Sequence, residues 1–220
     1  KLIWTYHHIL LDGWCVAKVI KELFAIYDQM IRGVQPEAVF GPVYRDYIEW
    51  LASQQARENR PFWRHYLADA KPSLFTSPVA YQPSSRADHN VYRFTLGRDL
   101  SGCIERFCAG LGVTVAVLFQ RIWAQILADN TQSFTPIFGW AISGRPVDLE
   151  GSQDIIGLMT SIVPCKVDAQ APFAAEALRQ LQRSSAALQD EGHVSMSHFR
   201  SATGLGLEAL FNTVLVVENF

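Results

Sequence analysis

Between Lys71 and Asn90 the chain loses every periodicity that would let it pack. Pro72, Pro78 and Pro83 stand there among Ser73, Ser77, Ser84 and Ser85. Pro withholds a backbone donor and Ser competes for backbone hydrogen bonds, so the stretch reads as an extended linker. The 220 residues of the chain are enough for one large or two small cores, since domains run roughly 100–200 residues. The expected division is residues 1–72, a linker at 73–89, and residues 90–220.

On the first side, Leu2 to Ile9 is rich in β-branched and aromatic residues and reads as a strand. A helix is expected from Trp14 to Arg32. Val16, Val19, Ile20, Leu23, Phe24, Tyr27, Met30 and Ile31 keep the i, i+3, i+4 rhythm, and Gly33 stops it. Tyr44, Tyr47, Ile48 and Leu51 mark a second helix, and Pro61 opens a short third one, where its missing N–H costs nothing.

On the second side, Val91 to Leu96 reads as a strand and Leu100 to Leu111 as a helix closed by Gly112. Thr114 is placed to N-cap a further helix that buries Val117, Leu118, Ile122, Trp123, Ile126 and Leu127. Strands are expected at Thr135–Ile142, Met159–Val167 and Asn212–Val217, with a helix from Pro172 to Leu188. Mixed α/β layers on each side of the linker are the simplest architecture.

Composition narrows the function classes. Hydrophobic residues make up 49% and charged residues 18%, which suits a sizeable interior. With 19 basic and 21 acidic residues and a net charge of −2, nucleic acid is not an expected partner, and no basic run marks a membrane surface. Thr213 to Val217 is far short of the roughly 20 apolar residues that span a bilayer. The chain opens on Lys1-Leu2-Ile3-Trp4 with neither Met nor a signal-peptide pattern, and is read as a piece of a longer polypeptide. Cys15, Cys103, Cys108 and Cys165 are scattered without a CxxC pair, so they read as free thiols of a reducing, cytoplasmic compartment rather than as disulfides or metal ligands.

One motif carries chemistry. In His7-His8-Ile9-Leu10-Leu11-Asp12-Gly13, the pattern HHxxxDG has a chance probability on the order of 10⁻³ or less in a chain of this length. Strand side chains alternate, so His7 and His8 are expected to face opposite sides and only one enters a given cavity. Asp12 falls at the turn before the helix, where a carboxylate anchors the loop through an Arg. Gly13 allows a close backbone approach there. A lone His at a strand end is ordinarily a hydrogen-bonded core or rim residue. A metal site from His7, His8 and Asp12 is weak, because adjacent strand histidines diverge. A phosphate-binding Gly loop, HExxH and GxSxG are all missing from the sequence.

His7 to Cys15 resembles the active-site motif of nonribosomal peptide synthetase condensation domains, and further resemblances follow in order. Tyr44-Arg45-Asp46-Tyr47-Ile48-Glu49-Trp50-Leu51 and Phe62-Trp63-Arg64-His65-Tyr66-Leu67 are similar to the family's next two helices. Gly112-Val113-Thr114 with Trp123-Ala124 is similar to its long second-lobe helix, and Ser143-Gly144-Arg145-Pro146 matches its SGRP turn. Ile156-Gly157-Leu158 through Val163-Pro164 resembles its glycine–proline strand, and Phe211 to Asn219 its late strand. The chain departs from the family pattern at Ser161-Ile162, where Asn-Thr is common, and at Ala141-Ile142, where Thr-Val is common. Neither departure touches the His motif, and the resemblance implies that both bear on the acceptor side of the family's channel.

The resemblance implies an α/β fold of two chloramphenicol-acetyltransferase-like lobes. The chain then holds the tail of the first lobe and most of the second, truncated at both ends, and the isolated piece is expected to be inactive. It implies an acyltransferase-type enzyme that forms an amide between two substrates carried on phosphopantetheine arms, with no cofactor bound directly. His8 is the implied catalytic residue. His7, Asp12 and Gly13 shape the motif, and Arg145 pairs with Asp12. Trp14, Ser143, Gly144 and Ser161 are candidates for the channel wall. The implied partners are upstream and downstream peptidyl carrier domains and a neighbouring adenylation domain. The rivals are an epimerisation domain or a coenzyme A-dependent acyltransferase of the same superfamily, and a non-catalytic scaffold that docks carrier proteins.

Overall fold

Asp12 takes the N-cap of the first helix, α1 (Gly13–Ile31). Its backbone is extended and its carboxylate accepts from the Cys15 amide at 3.0 Å, which satisfies one of the donors every helix start leaves free. Gly33, at φ +71°, carries the chain out of the helix. The same local logic builds the other helices. In α2 (Tyr44–Gln55) the Asp46 side chain accepts from the Val43 amide at 2.9 Å, and α3 (Pro61–Tyr66) starts on its proline. α4 (Arg98–Leu111) ends at Gly112 in the left-handed region. Thr114 then caps α5 (Val115–Thr131) by accepting from Val117 N at 3.3 Å.

The computed structural model describes residues 2–36, 41–55, 61–76, 91–194 and 196–218. Among the described residues a three-stranded mixed sheet forms the centre, in the order β2-β1-β3. The strand β1 (Ile137–Ile142) pairs antiparallel with β2 (Ser161–Lys166), Trp140 opposite Val163, and parallel with the short β3 (Val214–Leu215). Helix α6 (Ala175–Asp190) packs beside α5 against this sheet, and α7 (Met196–Thr203) and α8 (Leu207–Leu210) precede β3. The large core runs from Phe138, Val163 and Leu188 at the sheet to Trp63, Phe199 and Leu210. A smaller one gathers Tyr47, Ile155 and Met159 against Trp50, Leu51 and Leu149.

Several expectations are corrected. Leu2 to Ile9 is not a strand: residues 2–7 are irregular and 8–10 form a turn. Val91 to Leu96 is likewise irregular, with Val91, Tyr92 and Phe94 exposed. Both have the composition of strands, but a strand exists only against a partner ladder, and neither pairs with a described segment. Ile122 and Ile126 are exposed, while Gln120 and Arg121 are buried on α5. That helix carries apolar residues on its exposed side and polar ones on its buried side, so periodicity alone does not select the face. The polar pair is buried because it is bonded, Gln120 to Ser185 and Arg121 to the carbonyls of Ala169 and Ala171. Helices α7 and α8 have no counterpart among the elements expected from sequence.

The expected break after residue 72 is not a break in packing. Trp63 and Leu67 belong to the large core of the second half. Ser73 is fully buried and bridges to Phe211. Its amide donates to Leu210 O at 2.7 Å and its hydroxyl accepts from Ile137 N at 3.0 Å. A short polar side chain here completes a sheet edge instead of loosening the chain. Residues 77–89 of the expected linker, and Asn219 of the late strand motif, lie outside the described residues.

Candidate active site

The N-cap that starts α1 also holds the site together. Arg145 Nη2 lies 3.4 Å from both Asp12 oxygens, and the two side chains are 2% and 4% exposed. At that distance the pair is more a charge pairing than a tight bidentate fork. Shorter bonds reach the carboxylate from the backbone, with Cys15 N at 3.0 Å and Met159 N at 3.3 Å. Burial by itself pushes the Asp12 carboxyl up. The hydrogen bonds from Cys15 and Met159, with the Arg145 charge, more than offset it and hold the group below its ordinary value.

Arg145 spends its other donors on the loop that follows it. Nη1 donates to Ser152 O at 2.7 Å and Ile155 O at 3.0 Å, and Nη2 also reaches Cys15 Sγ at 3.1 Å. Cys15 Sγ in turn lies 3.2 Å from both the amide and the carbonyl of Gly157, and burial pushes its thiol pKa up. The indole N–H of Trp14 donates to Gln153 O at 3.1 Å while its ring sits 5.8 Å from the Arg145 guanidinium. Lys18 pairs with Asp154 on the same seam.

Two glycines make this approach possible. Gly144 has φ +63°, and a Cβ there would lie 1.7 Å from Met159 O. A Cβ on Gly157 would lie 2.0 Å from the Tyr44 ring, whose hydroxyl donates to Leu158 O at 2.7 Å. The 143–146 turn, the 155–160 segment and the start of α1 can meet only because these positions carry no side chain.

Beside the lock is a cavity of about 220 Å³ whose wall includes Asp12, Gly13, Trp14, Ser143, Arg145 and Val217. A second, of about 410 Å³, lies behind the turn, with Trp50, Ser143, Gly144, Asp148 and His193 among its lining. His7 and His8 are on the exposed turn before α1. His7 Nδ1 accepts from Ile9 N at 3.1 Å, and His7 O accepts from Leu10 N at 3.0 Å. The His7 ring is thus folded onto its own backbone. His8 makes no hydrogen bond among the described residues, and the strand whose alternation was expected to separate the two histidines is replaced by a turn at 8–10. Ser161 closes the β1–β2 ladder opposite Ile142 and lines neither cavity; its neighbour Thr160 lines the smaller one. Among the described residues no group of three His, Cys, Asp or Glu side chains is placed to hold a metal ion.

The Condensation domain family profile matches residues 1–220, the whole chain. The chain belongs to the condensation-domain family. Bacitracin synthase 3 of Bacillus licheniformis is 30% identical over 223 residues, covering 100% of this chain and 4% of that protein. A linear gramicidin synthase polypeptide of Brevibacillus parabrevis is 31% identical over 222 residues, again 100% of this chain and 4% of that protein. The first condensation domain of the calcium-dependent antibiotic synthetase, solved with a substrate analogue, superposes with a TM-score of 0.75 at 19% identity. That match covers 97% of this chain and 50% of the solved one. VibH, an NRPS condensation enzyme, gives 0.69 at 23% identity, covering 92% and 47%. The α/β fold is therefore that of condensation domains, and the chain spans about half the length of the solved ones.

Within this condensation domain the structure brings Asp12, Gly13, Trp14, Ser143, Gly144 and Arg145 together, while His8 stands on the adjoining turn. Sequence reasoning missed Cys15, Tyr44, Gly157 and the Met159 amide as parts of the lock. Cys15 had a signal, since it lies three residues after an N-capping Asp. The Met159 contact had none, because a backbone N–H is present at every residue but proline.

Proposed function

We propose that this condensation domain joins a carrier-bound acyl or peptidyl thioester to the α-amine of a carrier-bound aminoacyl thioester. The observation that carries the reading is the Asp12–Arg145 lock. It seats the HHxxxDG turn against the SGRP turn at the edge of a cavity.

An α-amine has a free pKa near ~7.7–8.0, so a useful fraction is already neutral at pH 7. Deprotonation before attack is a small part of the barrier. The larger parts are alignment of two tethered reactants, where effective molarities reach roughly 10⁵–10⁸ M, and removal of a proton from the zwitterionic adduct. The amine nitrogen bonds to the thioester carbon, the carbon–sulfur bond breaks, and the proton lost from nitrogen ends on the departing pantetheine thiol. His8, exposed and uncommitted, accepts that hydrogen bond and proton. His7 holds the turn, and Asp12 with Arg145 holds the turn's position. Gly13, at the first position of α1, has an N–H with no intrahelical acceptor and offers it to the developing oxyanion. The arms come from peptidyl carrier domains upstream and downstream, the acceptor's loaded by an adenylation domain.

The test is to supply the protein carrying these 220 residues with two loaded carriers and to analyse the products by mass spectrometry and chiral separation. A new amide on the acceptor carrier is expected. An inverted α-carbon without a new amide identifies an epimerisation domain instead, and no change in either substrate identifies a docking scaffold.

A further inference from the structure

The connection from β1 to β2 runs over residues 143–160. That is long for two strands that pair as neighbours, and loops of such length are ordinarily functional. Among the described residues, every hydrogen bond by which Asp12 and the first turns of α1 reach the rest of the molecule ends on this connection. The placement of α1 against the SGRP turn is therefore decided on one seam.

Those bonds differ in how firmly they fix a direction. Both Asp12 oxygens meet the same nitrogen of Arg145, each at 3.4 Å, so the ion pair holds a distance but lets the two sides swing about one atom. The Met159 amide bonds to the same carboxylate. Away from the carboxylate, Cys15 Sγ is a weak hydrogen-bonding group, and Lys18 is a rotatable ammonium whose partner Asp154 is largely exposed. Trp14 is the third contact. Its indole N–H donates to Gln153 O at 3.1 Å from a rigid ring, two residues beyond the Asp12 cap. Arg145 takes the carbonyls on either side of that one, Ser152 O and Ile155 O, and its guanidinium lies 5.8 Å from the Trp14 ring centre. The two side chains clasp one turn of the loop.

The turn that carries His8 has no such hold of its own. Its described bonds, Ile9 N to His7 Nδ1 and Leu10 N to His7 O, stay within residues 7–10. Where His8 stands relative to Ser143 and Arg145 is inherited from the start of α1, to which the buried Leu11 and Asp12 join it.

We propose that Trp14 is a positioning residue: its indole N–H, bonded to Gln153 O, fixes the orientation of the α1 start about the Asp12–Arg145 pair, and with it the place of the His8 turn. The inference rests on the amide-forming reading for what His8 does there, but one arm of its test needs no turnover.

Trp14→Phe keeps an apolar ring and removes the donor. The variant is made in the protein carrying these 220 residues and checked for a native circular dichroism spectrum. Exchange of the Cys15 amide hydrogen, which is bonded to Asp12, should become about 5-fold faster, the equivalent of one hydrogen bond lost, with the β1–β2 ladder unchanged. Single-turnover amide formation at saturating loaded carriers should fall about 10-fold, with the half-saturating carrier concentration within about 2-fold. In a His8→Ala background the same substitution should change the rate by less than about 2-fold, because the group it places is gone. A tryptophan that only adds stability would leave the rate per folded molecule unchanged in both backgrounds. Unchanged exchange at Cys15, an unchanged rate in the presence of His8, or an equal fall in both backgrounds overturns the inference. Faster exchange in a protein that forms no amide leaves the placement standing and removes the amide-forming reading. Amide formation with unchanged exchange does the reverse.

Discussion

Asp12 and Arg145, 133 residues apart in the chain, meet with both side chains almost wholly buried and their charged atoms 3.4 Å apart. A pair in that setting is costly to halve. Removing one partner of a buried ion pair costs about 3–5 kcal/mol, against roughly 0–1 kcal/mol for an exposed one. Asp12→Ala and Arg145→Ala should each destabilise the protein by an amount near the upper range. The double variant should be less damaging than the sum, by about 0.5–3 kcal/mol. A urea-denaturation cycle measures this, and strict additivity would show that the two side chains do not act as a pair.

The same carboxylate predicts a pH dependence. Its pKa in the folded protein lies below the ordinary value, so ionised Asp12 contributes stability that is fully present above the unfolded-state pKa of ~3.9. That contribution is lost as pH falls through the lower folded-state value. Asp12→Asn, which cannot titrate, should start less stable at pH 7 and lose less between neutral pH and about pH 3. Chemical denaturation at several pH values checks the difference, and parallel losses in the two proteins would contradict it.

Gly144 is the most exacting position in the lock, because a Cβ would reach within 1.7 Å of the Met159 carbonyl oxygen and the backbone is already left-handed. Gly144→Ala should therefore cost at least the ~1–3 kcal/mol typical of a strained residue, and more once the 155–160 segment is displaced. Gly112→Ala serves as the control: it shares the left-handed backbone (φ +68°) but has open space around its Cβ. The control should lose stability from backbone strain alone and so lose less. Thermal melts of the two variants compare the steric and backbone contributions, and a larger loss at Gly112 would refute the steric account.

For catalysis, His8→Ala should lower amide formation by about 10²–10⁴-fold, the usual contribution of a positioned base. His7 holds the turn through the Ile9 amide, so His7→Asn, which keeps a side-chain acceptor, should retain more activity than His7→Ala. Single-turnover assays on folded variants decide it. A greater loss for the His7 variants than for His8→Ala would reverse the roles of the two histidines.

Thr114 offers a purely local check. Its hydroxyl accepts from Val117 N at the start of α5, and Thr114→Ala should cost about 1 kcal/mol in chemical denaturation. Thr114→Ser should restore most of it.

What the sequence determined by itself is what short stretches of chain decide. Gly33 and Gly112 end helices, Pro61 opens one and Thr114 caps one, because each acts through the few residues beside it along the backbone. The resemblance of HHxxxDG and SGRP also indicated that Asp12 and Arg145 belong together, a pairing their spacing alone does not contain. Tertiary structure decided everything that needs a distant partner. Leu2 to Ile9 and Val91 to Leu96 have strand composition without a ladder to join among the described residues, whereas Val214 and Leu215 become a strand because Gly139 and Trp140 lie beside them. Ser73 reads as linker until Phe211 and Ile137 give its backbone and hydroxyl somewhere to bond. Gly157 reads only as part of the segment that resembles the glycine–proline strand until the Tyr44 ring arrives where its side chain would have been. Caps and stops are bonds across three or four residues, legible in the order of the chain. A strand, a buried polar contact or a forbidden Cβ depends on what packs against it from far away, and only folding brings that neighbour into place.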